Sequence, residues 1–110
     1  MKIIADFHTI HICELRELND EVADELVHGI RAALTPAHFI IEFDLAQLRA
    51  VECAAVDALV ALHDEFDAAG NRLAWRVLNP PPELRQLFEL VRLHHLFEIA
   101  PPRPSSLVLQ

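Results

Sequence analysis

The chain has 110 residues, 53% hydrophobic and 24% charged, enough apolar material for the core of one compact domain. Its two glycines, Gly29 and Gly70, cannot build a Gly-rich phosphate loop, and with no tyrosine there is no tyrosine acid, base or stacking platform. Nine Lys and Arg against seventeen Asp and Glu leave a net charge of -8, which phosphate backbones repel, so the balance argues against a nucleic-acid partner.

Residues 2–7 and 9–13 are short and β-rich around His8, and read as one bent strand or a tight pair of strands. Asn19 is a favoured helix N-cap, and Asp20 and Glu21 suit the positive end of the helix dipole that follows it. Val22, Leu26, Ile30, Ala33 and Leu34 recur mostly at spacings of three and four, the apolar stripe of a helix. Thr35-Pro36 closes that helix, because the residue before proline is pushed out of the helical region. Gly29 inside it costs about 1 kcal/mol relative to alanine, and a close helix–sheet contact is one reason to keep it.

Phe39-Ile40-Ile41-Glu42-Phe43-Asp44-Leu45 is apolar on both faces near its start, which predicts a central strand covered on both sides. A second helix spans 54–69, with Ala55, Ala58, Leu59, Leu62 and Phe66 on one face, and Gly70-Asn71 suits a left-handed C-cap. Leu73 to Leu78 is the next strand, and Pro80-Pro81-Pro82 introduces a third helix striped by Leu84, Leu87, Phe88 and Val91. A short element at Leu96–Ile99 precedes a proline-rich tail over 101–110, whose Leu107-Val108-Leu109 could dock on the domain or on a neighbouring chain. This alternation predicts a single α/β domain over 1–100, with a mostly parallel central sheet of about four to five strands and covering helices.

No apolar run approaches the roughly 20 residues that span a bilayer, and the N-terminal apolar stretch is too short for a signal peptide. Cys13 and Cys53 form no CxxC pair and read as reduced thiols, so a cytoplasmic protein without direct membrane insertion is expected. The charge is uneven. Residues 1–67 carry four basic and fourteen acidic side chains, which fits either a partner with a basic patch or a solvated surface.

Seven histidines raise the question of a metal. His8 and His11 lie three apart in a β-rich segment, His94-His95 are adjacent, and His28, His38 and His63 stand alone, so no ligand spacing emerges. Asp64, Glu65 and Asp67 read as the wet face of a helix, and the only serines, Ser105 and Ser106, lie in the tail. Nothing here supports catalysis, a metal or another cofactor. Cys53 falls at the predicted start of the second helix, where the dipole favours a thiolate and Glu52 opposes it. A redox-responsive thiol and a small packing residue are its two readings.

Asp44-Leu45-Ala46 followed by Glu52-Cys53-Ala54-Ala55-Val56-Asp57-Ala58-Leu59 resembles the STAS family motif, Asp-Leu-Ser and then Asp-Ser-(Ser/Thr)-Gly-Leu. Gly70 to Leu73, Leu78-Asn79-Pro80 and the run from Leu84 to Phe97 resemble its later helix end, strand and closing helix. Upstream, Glu17-Leu18-Asn19 is similar to the family's Gly-x-Leu-Asp element, with Arg16 in the glycine's place. The resemblance implies a protein-binding module like the anti-sigma factor antagonists, in which a serine at the start of the second helix is phosphorylated by a kinase-like anti-sigma factor. Cys53 stands at the phosphoacceptor-equivalent position and carries no hydroxyl. The usual switch should then be absent. The resemblance places partner contacts at Asn19, Glu52, Cys53, Ala54, Ala55 and Asp57, around a docking loop at 46–53. The alternative is a STAS subunit docked on the ATPase of an ABC-type lipid transport system, and a homodimer is a further option.

Overall fold

The computed structural model describes residues 1–49, 53–90 and 96–100. In chain order these form β1 (Lys2–Ala5), β2 (Thr9–Cys13), α1 (Asp20–Ala33), β3 (Ile40–Asp44), α2 (Cys53–Ala68), β4 (Ala74–Leu78), α3 (Pro82–Leu90) and β5 (Glu98–Ala100). Val91, the last residue of the expected third stripe, and the tail over 101–110 lie outside the described residues.

The first β-rich stretch resolves as a tight pair. β1 runs antiparallel to β2, and Asp6 N donates to Thr9 O at 2.8 Å to close a turn over Phe7 and His8. From β2 onward every neighbour is parallel, and the strands stand in the sheet in their sequence order, β1-β2-β3-β4-β5. Each parallel step is a crossover through one helix, and crossovers of this kind are right-handed. Three such steps in one direction put α1, α2 and α3 on the same face.

That face carries the core. Ile12, Phe43 and Val77 stand side by side across β2, β3 and β4, with Ile10, Ile41 and Trp75 in the next row, all buried. Residues two apart on a strand share a face, so both rows point toward the helices. From α2, Ala58, Leu59, Leu62 and Phe66 meet them, while α1 contributes Leu26 and Ile30, and α3 contributes Leu84 and Phe88. Trp75 lies parallel to Phe43 at 6.0 Å between ring centres and edge-on to Phe97 at 6.1 Å.

Among the described residues the opposite face has no helix, which corrects the expectation that β3 is covered on both sides. Phe39 falls just outside β3 and is 51% exposed, and Glu42 is the buried residue of the open face. The register sets Ile4, His11, Glu42, Arg76 and Glu98 in one row across all five strands. His11 Nδ1 lies 2.8 Å from Glu42 Oε1, and Arg76 Nη1 lies 3.6 Å from Glu42 Oε2. A buried carboxylate is tolerable only when paired, and its two cross-strand neighbours do the pairing. Arg76 Nε sits 3.2 Å from Glu98 Oε1 without the alignment of a hydrogen bond.

Gly29 has the close contact that the sequence suggested. A Cβ there would overlap Ile3 Cδ1, so the glycine lets α1 settle onto the outer strand. Gly70 ends α2 with φ 86, the left-handed conformation that glycine adopts without cost. Between α1 and α2, Arg31 and Glu65 form an exposed ion pair at 2.6 Å, worth under about 1 kcal/mol.

Packing, then, should dominate stability. Phe43→Ala empties the centre of the buried rows and should lower unfolding free energy by about 3–5 kcal/mol, read as a lower urea midpoint at unchanged slope.

Candidate functional site

In open parallel sheets, binding sites form outside the C-terminal ends of the strands. At that end of this sheet three connections meet: residues 14–19 after β2, the segment from Leu45 after β3, and Asn79 to Pro81 after β4. Leu15 and Leu18 from the first, and Leu45 and Leu48 from the second, are buried and pin the connections to the core.

Polar contacts then set their geometry. Asp44 ends β3, and its Oδ1 accepts from Ala46 N at 3.0 Å and from Asn79 Nδ2 at 3.3 Å. Leu45 N donates to Leu78 O at 2.9 Å, and Arg49 N donates to Arg16 O at 2.9 Å. Asn79 takes φ 52, a left-handed conformation that asparagine accepts more readily than most residues. Glu14 takes φ 57 as the chain leaves β2 and turns toward α1. A shallow groove of about 240 Å³ opens beside it, with Glu14, Glu17 and Glu25 facing Arg16 and Arg49. The groove is mixed in charge.

Of the six expected contact residues, Asn19 is half-buried, and its side-chain oxygen accepts from Val22 N at 3.0 Å. It is the N-cap of α1. Ala54 and Asp57 are exposed on α2. Ala55 is 1% exposed and packs in the core, so its expected place at a partner surface is corrected. Its membership of the α2 stripe with Ala58, Leu59 and Leu62 already carried that signal. Cys53 begins α2, while its side chain and the whole of Glu52 lie outside the described residues.

The histidines of the described residues have protein partners. His38 Nε2 lies 2.7 Å from Asp6 O, and His28 Nδ1 lies 2.8 Å from Asp24 O. His8 Nδ1 lies 2.8 Å from Thr9 Oγ1, and His63 packs 5.7 Å from the Trp75 ring. Among the described residues no three of His, Cys, Asp and Glu gather as metal ligands, and no helix is long and apolar enough to cross a membrane. The Asp44–Asn79 brace was not anticipated. Its signal was a short polar residue at the end of each of two neighbouring strands.

The STAS domain model matches residues 6–105. The chain belongs to the STAS domain family. Solved structures with the same fold include a candidate anti-sigma factor antagonist of Thermotoga maritima, TM1081. Its crystal structure gives a TM-score of 0.68 at 12% identity, covering 96% of this chain and 90% of that one. The NMR structure of TM1081 gives 0.70 at 12% identity, covering 96% and 83%. The Bacillus cell fate determinant SpoIIAA, in its phosphorylated form, gives 0.60 at 19% identity, covering 94% of each chain. At such identities the likeness is one of fold. No curated protein sequence matches this STAS domain.

Two substitutions test the scaffold of this site. Asn19→Ala removes the α1 cap and should cost about 1 kcal/mol in urea unfolding. Asn79→Val removes the brace to Asp44 and forces a β-branched residue to positive φ, which should cost about 1–3 kcal/mol by the same measurement.

Proposed function

We propose that this STAS domain is a non-catalytic regulatory module of the anti-sigma factor antagonist type, which binds a protein partner through the start of α2. The observation that carries the reading is the exposure of Ala54 and Asp57, three residues apart on one helix face, at the end braced by Asp44 and Asn79. A methyl group at Ala54 lets another backbone approach closely, and Asp57 offers it a carboxylate. Glu52 and Cys53 belong to the same surface in this reading. The acidic first two-thirds of the sequence favours a partner with a basic docking patch.

The partner in this reading is a kinase-like anti-sigma factor in the cytoplasm. SpoIIAA exists in a phosphorylated form. Phosphate brings about -1.5 to -2 charge and would break an interface of this kind. Cys53 has no hydroxyl to receive it. Binding by this domain is then constitutive, or set by its amount or by oxidation of Cys53, rather than switched by serine phosphorylation.

The full chain, immobilised in lysate of its native organism beside an Ala54→Arg variant, tests the reading by mass spectrometry of what each retains. Arginine at this exposed helical position should change stability by less than about 0.5 kcal/mol. Wild type should retain a kinase-like anti-sigma factor that the variant loses. Retention of a transporter ATPase instead would move the protein to the lipid-transport class. Identical partners on both baits would refute the α2 surface.

A further inference from the structure

Among the described residues β1 is an outer strand of the sheet, paired along its inner edge alone. Antiparallel ladders alternate between residues that exchange both backbone bonds with the partner strand and residues that exchange none. The bond from Asp6 N to Thr9 O sets the phase, so Asp6, Ile4 and Lys2 turn their backbone groups toward β2, opposite Thr9, His11 and Cys13. The N–H and C=O groups of Ile3 and Ala5 therefore point away from the sheet. An open edge like this is a template for another strand, and proteins commonly blunt it with proline, bulges or charge. β1 has neither proline nor bulge, and Lys2 is its single charged guard. Beside it Ile4 is 46% exposed and Phe7 88% exposed.

We infer that this edge pairs with β1 of a second copy of the chain, antiparallel about a twofold axis through Ile4. Ile3 then exchanges both backbone bonds with Ala5 of the second copy, and Ala5 with Ile3 of the second copy, which satisfies the outward groups. Ile4 meets its own counterpart at a position without backbone bonds, where side chains stand closest. Lys2 falls opposite Asp6 of the second copy, and the axis repeats that ion pair. Moving the register by two residues in either direction sets Ile4 against Lys2 or against Asp6 and loses both pairs. Charge complementarity thus selects the arrangement centred on Ile4.

Asp6 can accept the lysine. Its Oδ1 takes the bond from Phe7 N at 2.7 Å, while Oδ2 lies 4.0 Å from His11 Nε2 in a side chain 57% exposed. Lys2, Ile4 and Asp6 share the helix-free face, because residues two apart on a strand point the same way. In the pair of copies the sheets join, and the polar row of each ends against the Ile4 contact. β1 lies two strands from β3, whose connection leads into α2, so this surface is separate from the proposed partner site.

Sedimentation velocity of the full chain from about 10 to 500 μM reads the result, since one short edge strand supports a weak, reversible dimer. Wild type should pass from monomer to dimer over that range. Lys2→Glu alone and Asp6→Lys alone each oppose like charges and should raise the dissociation constant about tenfold or more. An equimolar mixture of the two variants should recover dimer, because every charged pair across the mixed interface is again opposite in sign. Far-UV circular dichroism reports folding. Should Asp6→Lys unfold, Ile4→Arg, which removes no hairpin bond, must abolish dimer by itself. A monomeric wild type, a folded Lys2→Glu or Ile4→Arg chain that dimerises as wild type does, or folded charge variants that do not recover dimer when mixed would overturn the inference.

Discussion

Three right-handed crossovers that each step one strand in the same direction leave all three helices on one side of the sheet, and most other features follow from that constraint. The helix-covered side has to be apolar across its whole width, which is why Ile12, Phe43 and Val77 line up in register and Trp75 sits among aromatic rings. Among the described residues the other side has no helix to exclude water, and its buried carboxylate is paired within the sheet. Glu42 takes His11 from one neighbouring strand and Arg76 from the other. The same stepping gathers the outgoing connections at one end, where α2 begins between the turns that follow β2 and β4.

At that end apolar anchoring and polar bracing divide the work. Buried leucines hold the connections down, and the bonds from Ala46 N and Asn79 Nδ2 to Asp44 set their shape. Neither device uses Ala54 or Asp57. Ala54 and Asp57 are free to vary in chemistry without loss of the platform beneath them.

Much of the architecture was legible in the sequence because it rests on local signals. The Asn19 cap, the three-and-four spacing of α1, the Gly70 terminus and the alternation of strands with helices all have short-range causes. The misreading of β3 had a long-range cause. Periodicity shows that Ile40, Ile41 and Phe43 are apolar, yet what covers Glu42 arrives from β2 and β4 through the register. Ala55 was a conflict within the sequence itself, since the α2 stripe claimed it for the core while the motif placed it beside the partner surface. Burial decided for the core. The Asp44–Asn79 contact joins the last residue of β3 to the residue that follows β4, and only the register brings these two polar residues together.

Sheet order that copies chain order also bears on how the protein folds. Each strand pairs with the one made just before it, so no step has to close a loop longer than one helix and its turns. Loop-closure entropy grows with the length enclosed, and topologies rich in near-neighbour contacts fold fastest. The β1–β2 hairpin, closed over Phe7 and His8, provides the shortest loop, and each later crossover extends an edge that already exists. A chain emerging from the ribosome can therefore add its layers in the order of synthesis, without waiting for its C-terminal strand to complete an earlier pairing.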